Sequence, residues 1–213
     1  MRAGTRGDSY SPRFNSKPGE RIEALGLGEG EELILDFTRA HRDWKRRGGS
    51  REELFYALAR VPGIYVPRFY EVAYHDDGTL SRVSPALQGV ALPVKKRIVG
   101  KLPPAPARFL VPNVETVHDR ISVEIMRGCT RGCRFCHAGV VNRPVRERAP
   151  EEILEAVQAG LDATGYEQVG LLSLSSSDHT RILDIIRGVY EKFKDSRVQV
   201  NLPSLRIASF SVD

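Results

Sequence analysis

The sequence predicts an α/β protein whose C-terminal half alternates parallel strands with helices. Residues 121–125, 168–174 and 197–202 predict three strands, the first from alternating apolar residues and the second from a mostly apolar run. Two segments with helical spacing separate them, one beginning at Pro150 and one near Asp178. This alternation is typical of a parallel sheet, because each helix returns the chain to the edge where the next strand starts. We therefore expect the first three strand units of a partial (β/α) barrel, preceded by a small helical and hairpin segment.

Two segments open the chain. Residues 1–20 are rich in Gly, Ser, Arg and Pro and show no hydrophobic period, which predicts a disordered N-terminus. Residues 21–60 predict a helical segment in which Ser50 and Glu53 form a capping box that starts the second helix. The first helix carries an apolar stripe at helical spacing, predicted to pack in a core: Leu33, Ile34, Phe37, Ala40 and Trp44.

The rest of the chain divides into a linking part and the predicted barrel. Residues 61–117 predict a hairpin that turns at Asp77–Gly78 and then a proline-rich linker. Residues 118–213 form the predicted core. An eight-unit barrel takes about 250 residues, whereas this core supplies three strands and would expose the last one as an edge. We therefore expect a fragment, or a truncated open reading frame, of a larger protein.

The predicted elements of the core surround one loop. The strand at 121–125 runs into Gly128, so the loop that follows leaves the C-terminal end of a strand, where α/β folds place their active sites. Pro150 suits the first position of the next helix, and Gly165 suits its end. Asp178 is the predicted N-cap of the second helix.

The loop after Gly128 contains the only three cysteines of the chain, Cys129, Cys133 and Cys136, in a Cys-x3-Cys-x2-Cys array. Thiolates hold iron–sulfur clusters, and a four-iron cluster takes four ligands. Three cysteines therefore leave one iron free to bind a group that the protein does not supply.

Other uses of this array remain open. A closed zinc site needs a fourth ligand, and no second pair of cysteines or histidines follows; His137 directly neighbours Cys136, which makes it an awkward ligand for the same metal. An odd number of cysteines and the lack of a signal-peptide core argue against a secreted disulfide fold. A non-catalytic module that binds zinc or an iron–sulfur cluster, and a simple dithiol, are the alternatives.

Residues 123–139, VEIMRGCTRGCRFCHAG, resemble the cluster loop of the radical S-adenosylmethionine (SAM) superfamily. The signature of that family is Cys-x3-Cys-x-aromatic-Cys, and Phe135 is the aromatic residue here. With residues 164–180 and 201–211, the chain resembles uncharacterised radical SAM proteins that carry an upstream cobalamin-binding-type domain. Residues 21–60 would be the tail of that domain. No Asp-x-His-x-x-Gly motif is present, so cobalamin is expected only in a longer parent protein.

The resemblance implies a 4Fe-4S cluster on the three cysteines and SAM on the fourth iron. Reductive cleavage of SAM would give a 5'-deoxyadenosyl radical, with electrons from a donor such as flavodoxin or ferredoxin. Many family members bind the SAM amino group with a Gly-Gly-Glu element after the second strand. Ser175, Ser176 and Ser177 stand at that place here, with Asp178 as an alternative acidic partner, and Arg206 is the candidate for the SAM carboxylate.

Composition bounds the remaining expectations. The chain has 213 residues, 41% of them hydrophobic, and no apolar run long enough to cross a bilayer, so we expect a cytoplasmic protein without a membrane partner. The net charge of +5 suits a polyanion, but nucleic acid stays uncertain. The densest basic stretch, residues 41–51, is interpreted as the exposed end of a helix. An RNA-modifying radical SAM enzyme of the methylthiotransferase type is the third candidate function.

Overall fold

In a computed structural model of the protein, residues 22–114 and 116–206 are described. They form two compact units that divide between Val99 and Gly100. The N-terminal stretch predicted to be disordered lies outside the described residues. The predicted segment boundaries after residues 60 and 117 stay predictions.

The first unit contains two helices and two small antiparallel pairs. Its elements are β1 (Leu25–Gly26), α1 (Gly30–Arg47), α2 (Arg51–Ala59), β2 (Ile64–Tyr65), a 3₁₀ turn (Pro67–Phe69), β3 (Tyr70–Tyr74) and β4 (Leu80–Pro85). β1 pairs with β2, and β3 with β4 as the predicted hairpin. α1 ends where Gly48 adopts a left-handed φ of 66°, and α2 begins at the capping box of Ser50 and Glu53. The predicted helical and hairpin segment is therefore present.

Two positions of the predicted apolar stripe, Ile34 and Trp44, are wrong, and Trp44 is half-buried outside the apolar core of this unit. Leu33 is buried and Phe37 packs beside it, but the Ile34 side chain is 56% exposed. Because successive residues of a helix point about 100° apart, Leu33 and Ile34 cannot both face the same narrow core. The core of this unit is completed by residues from α2 and the segments after it: Phe55, Leu58, Ile64, Val66, Phe69 and Tyr70.

The second unit contains the parallel sheet. Its elements are β5 (Ile121–Glu124), β6 (Met126–Arg127), α3 (Ala138–Val141), β7 (Arg146–Glu147), α4 (Pro150–Thr164), β8 (Gln168–Leu172), a 3₁₀ turn (Ser176–Asp178), α5 (Ile182–Phe193) and β9 (Gln199–Asn201). The strand order is β5-β8-β9, and both pairings are parallel. This confirms the predicted α/β class and agrees with the opening strands of a partial barrel.

The two faces of this sheet differ in chemistry. On one face, Ile121 and Val123 of β5 and Val169 and Leu171 of β8 are completely buried. They pack in one core with apolar residues of α4 and α5, which include Ile153, Val157, Ile185 and Val189. The alternate residues of β5, Ser122 and Glu124, point to the opposite face, as the period of two requires. The apolar face therefore holds the helices, and the opposite face is polar.

The ends of α4 follow the predicted signals. Pro150 is its first residue, Glu151 and Glu152 lie in the first turn, and Gly165 ends it with a φ of 71°. Within the described part of the chain, no helix is long and apolar enough to cross a membrane.

Candidate functional site

The cysteine loop begins at the C-terminal end of β5 and is closed at its base by a short ladder. β6 and β7 pair antiparallel, with Met126 opposite Glu147 and Arg127 opposite Arg146. Gly128 follows with a φ of 87°, and a Cβ at this position would lie 2.7 Å from the main-chain oxygens of Asn142 and Pro144. Only glycine allows the two sides of the loop to approach so closely. The cysteine loop therefore follows the C-terminal end of β5, as the sequence predicted.

The three thiols are free and differ in exposure. Cys129 is buried, Cys136 is half-buried and Cys133 is exposed. The Arg131 N–H donates to the Cys129 Sγ at 3.4 Å, and the Gly139 N–H donates to the Cys136 Sγ at 3.3 Å. Hydrogen bonds of this kind stabilise a thiolate and tune the potential of a cluster that the thiolate holds.

The sulfurs share one loop but are not gathered into a triad. Within residues 22–114 and 116–206, no three His, Cys, Asp or Glu side chains are arranged to hold one metal ion. Thiolates repel each other when no metal is bound, and a bound metal draws them together as its ligands. Three soft sulfur donors on one loop, two of them already accepting N–H groups, fit a thiolate-bound iron–sulfur cluster. Phe135, the predicted aromatic of the loop, is 91% exposed.

An ion pair that the sequence did not predict fastens this loop to the turn after β8. Arg131 donates through Nε to Asp178 Oδ2 at 2.9 Å and through Nη2 to Oδ1 at 2.6 Å. Asp178 also accepts from Arg206 Nη2 at 3.1 Å and from the Ser175 hydroxyl at 2.8 Å, while its own side chain is 9% exposed. The hydrogen bonds from Arg131, helped by Ser175 and the charge of Arg206, hold the pKa of this carboxyl well below its usual value despite its burial.

Asp178 is therefore not the N-cap that the sequence predicted. α5 begins at Ile182, with Arg181 before it, and Asp178 lies earlier, in the 3₁₀ turn. Its carboxylate is used in a tertiary contact instead. The only sequence signal for the pair was the opposite charge of two residues 47 positions apart, which does not identify a contact.

Two more contacts join the same segments. The Glu147 carboxylate accepts from the Thr180 N–H at 2.9 Å and from the Thr180 hydroxyl. The buried His179 accepts the Arg181 N–H through Nδ1 at 3.0 Å, so its Nε2 carries the proton donated to the Arg148 carbonyl at 3.1 Å. The residues that flank the cysteine loop are thus fixed against the turn after β8.

The predicted SAM-binding serines occupy this turn, and the structure separates them by role. Ser175 donates to Asp178, and Ser176 donates to the Pro203 carbonyl at 2.7 Å. The Ser177 Oγ is buried and has no hydrogen-bond partner within the described residues. Arg206, the predicted carboxylate partner, lies in the same cluster through Asp178. The structure therefore brings the serines, Arg206 and the cysteine loop together through Arg131 and Asp178.

A second ion pair lies at the mouth of the loop. Glu124 ends β5 on the polar face of the sheet and accepts from Arg127 at 2.8 and 2.9 Å. Ser122 lies on the same face, and Gly170 of the neighbouring strand, paired with it, adds no side chain there. Sequence reasoning did not select Glu124, although the alternation of residues 121–125 placed it opposite the apolar face.

Comparison with known proteins decides the family. The radical SAM superfamily domain matches residues 123–209, which include the whole cysteine loop, and the N-terminal domain of radical SAM proteins matches residues 12–67. The chain belongs to the radical SAM superfamily. The upstream cobalamin-binding-type domain stays a prediction.

This radical SAM chain is similar over part of its length to two curated proteins. A tRNA-2-methylthio-N(6)-dimethylallyladenosine synthase of Staphylococcus haemolyticus is 28% identical over 100 residues, which cover 46% of this chain and 19% of the relative. An uncharacterised protein of Methanocaldococcus jannaschii is 29% identical over 91 residues, 43% of this chain and 20% of the relative. The matches therefore span about a fifth of the length of these relatives.

Proposed function

We propose that this chain is the cluster-binding part of a radical SAM enzyme, in which Cys129, Cys133 and Cys136 hold a 4Fe-4S cluster. The observation that carries the proposal is the set of three free thiols in the family spacing, on one loop at the C-terminal end of β5. The bound cluster and SAM supply a one-electron reductive cleavage of the sulfonium that yields a 5'-deoxyadenosyl radical.

The residues of the loop stabilise the negative charge that a thiolate-bound cluster brings. Main-chain N–H groups already point at two of the sulfurs, and Arg131 lies within the loop with its guanidinium on Asp178. Nearby positive charge and hydrogen bonds to sulfur both raise the reduction potential of such a cluster. Arg131 therefore has two roles: its N–H stabilises the Cys129 sulfur, and its side chain positions the loop.

The turn after β8 supplies the groups for SAM. We assign the first contact to the Ser177 hydroxyl, because it is a buried polar group without a partner within the described residues. Arg206 is the candidate for the SAM carboxylate, since the forked guanidinium matches the geometry of a carboxylate and Arg206 lies in the same cluster through Asp178. Ser175 and Ser176 support the turn through their own hydrogen bonds, and Phe135 is the aromatic residue of the loop.

The proposal includes an external electron donor such as flavodoxin or ferredoxin. Cys133 and Phe135 are the exposed members of the site, so the donor can approach the cluster from this side of the loop. A reducing, cytoplasmic compartment suits both the free thiols and the cluster.

A specific observation favours RNA modification as a narrower reading of this function. The Staphylococcus haemolyticus relative is named for a reaction on tRNA. An RNA-modifying enzyme would bind RNA with an affinity that falls steeply with salt, because phosphate contacts release counterions. The competing non-enzymatic function is a metal-binding module, in which the three thiolates hold zinc together with an outside ligand.

The experiment that separates these functions is metal analysis of the anaerobically purified and reconstituted chain. We expect about four iron and four acid-labile sulfide per chain, with loss of both when any one of the three cysteines is replaced by serine. Thr130→Ala is the matched control, because Thr130 lies in the same loop, is exposed and has no thiol; it should load iron as the unmodified chain does. Stoichiometric zinc without sulfide would establish the metal-binding module instead.

A further inference from the structure

The corner between α1 and α2 contains a built cavity in the first unit. α1 ends at Gly48, and the Trp44 indole N–H donates to the Ser50 carbonyl at 2.7 Å, which fixes the ring against the turn. A Cβ on Gly49 would lie 2.7 Å from the Glu53 carboxylate and 3.0 Å from the Trp44 ring, so the turn packs closely against both side chains. The turn borders an open cavity of about 300 Å³.

The walls of this cavity combine two aromatic rings, two guanidinium groups and one carboxylate. Trp44 and Arg47 come from α1, Glu53 and Tyr56 come from α2, and Arg60 directly follows α2. Tyr56 stacks on Phe69 at a centroid distance of 4.8 Å, which holds its ring in place, and it is still 38% exposed. The rings are therefore held by internal contacts, while both arginines are exposed.

The positive charge around the cavity is only partly balanced by the protein, because Glu53 is the one carboxylate of its lining among the residues that the structure describes. Residues 42–60 contain six Lys and Arg against three Asp and Glu. Arg51 pairs with Glu23, and the Glu53 carboxylate accepts the Ser50 N–H of the capping box. Within the described residues, no carboxylate forms an ion pair with any of the remaining cations, Arg42, Lys45, Arg46, Arg47 and Arg60.

Helix termini favour these cations but do not explain why two of them line one cavity. Cations in the last turn of a helix suit its carbonyl pole, and this accounts for Lys45, Arg46 and Arg47. Arg60, the residue that caps the C-terminus of α2, also suits a carbonyl pole, and it lines the same cavity as Arg47. Two guanidinium groups from separate helices therefore converge on one cavity with two aromatic walls.

We propose that this corner binds single-stranded nucleic acid, with one phosphodiester on Arg47 and Arg60 and the adjoining base against Trp44 and Tyr56. Guanidinium groups match the geometry of phosphate oxygens. Aromatic side chains give bases a stacking surface without reading sequence, and together with a basic surface they are the usual means of binding single strands. An acidic peptide would satisfy the charge but has no flat ring for the aromatic walls. A cavity of about 300 Å³ is at the lower end of ligand pockets, which suits a single nucleotide of a strand.

The test uses Trp44 as its own reporter, because it is the only tryptophan of the chain. The full chain is titrated with a single-stranded RNA of about 12 nucleotides, with DNA of the same sequence and with polyglutamate, and both Trp emission and the anisotropy of the labelled probe are followed. We expect RNA to quench Trp44 and to bind more weakly as salt rises. If DNA binds as tightly as RNA, the site recognises the phosphate and the base that both strands share. If RNA binds more tightly, the site is specific for RNA.

The matched variants carry the same change of charge. Arg47→Gln with Arg60→Gln should weaken binding by about 10-fold or more and reduce the slope of log affinity against log salt by about 0.7, the contribution of one phosphate contact of a single strand. Arg82→Gln with Lys95→Gln, two exposed cations elsewhere in the same unit, should change affinity by less than about 2-fold. Thermal melts confirm that both double variants fold.

Several results would overturn the proposal. These are the absence of binding at low salt, binding that leaves Trp44 emission unchanged, equal losses in the two double variants, and equal quenching by polyglutamate. None of these measurements depends on iron. Failure here therefore leaves the cluster proposal standing, and failure of the cluster proposal leaves this site standing.

Discussion

Replacing Asp178 with asparagine should loosen the cysteine loop, because one carboxylate receives Arg131, Arg206 and Ser175. Asparagine keeps the size of the side chain and removes its charge. Hydrogen bonds between charged groups contribute about 1.5–3 kcal/mol each when they are buried. Here the side chains of Arg131 and Arg206 are 47% and 37% exposed, so solvent screens their charges. The summed contribution of their hydrogen bonds to the free energy of unfolding should therefore be far smaller than for buried groups. We expect a loss of about 2 kcal/mol in the free energy of unfolding.

This loss is measurable by thermal unfolding of the cluster-free chain. For a unit of this size, 2 kcal/mol corresponds to a decrease in Tm of about 8 °C. The same variant should load iron more slowly, because the loop is no longer fixed to the turn after β8. Asp184→Asn is the matched control: Asp184 pairs with Arg181 at 2.9 Å, both side chains are 50% exposed, and solvent screening should leave Tm nearly unchanged. Equal effects of the two substitutions, or an unchanged Tm and loading rate for Asp178→Asn, would refute the reasoning.

Three further predictions concern the same site. Gly128→Ala should abolish iron loading, because the new Cβ would lie 2.7 Å from two main-chain oxygens. In the control Gly165→Ala, the new Cβ meets open space at a similar φ, so the free energy of unfolding should fall by about 1 kcal/mol and iron loading should stay intact. Because the pKa of Asp178 is lowered in the folded state, its contribution to the free energy of unfolding is present above about pH 4 and is lost as pH falls through the folded-state pKa. The unmodified chain and Asp178→Asn should therefore approach the same free energy of unfolding as the solution is acidified. Ser177→Ala should weaken SAM binding by calorimetry without lowering Tm, while Ser176→Ala, which breaks the bond to a carbonyl at 2.7 Å, should lower Tm; the reverse pattern would reject the assignment of Ser177.

Local patterns in the sequence were enough to predict the longer elements around the site, but not the short β6, α3 and β7 of the cysteine loop. The alternation of residues 121–125 and the apolar run at 168–174 predicted β5 and β8, because a period of two and a short apolar run are direct consequences of how strands bury side chains. Pro150 and Gly165 predicted both ends of α4 for equally local reasons.

The contacts that fix the site could not be predicted in this way. Asp178 precedes an amphipathic helix, so local reasoning made it a cap, and its true partner Arg131 lies on another element. The ion pair of Glu124 with Arg127 needed the same knowledge of the fold. The cysteine spacing identified the three thiols, but their separate hydrogen bonds and exposures depend on how the loop folds between β6 and β7.

The most direct test of the account is the EPR spectrum of the reduced, reconstituted chain before and after SAM is added. If three thiolates leave one iron open, SAM should change the g-values of the reduced cluster, and the supernatant should then contain 5'-deoxyadenosine. The contradicting result is a four-iron signal that SAM does not alter, even at a SAM concentration that would saturate the more weakly binding Ser177→Ala variant. That result would contradict the central claim that this loop holds a cluster with an open iron.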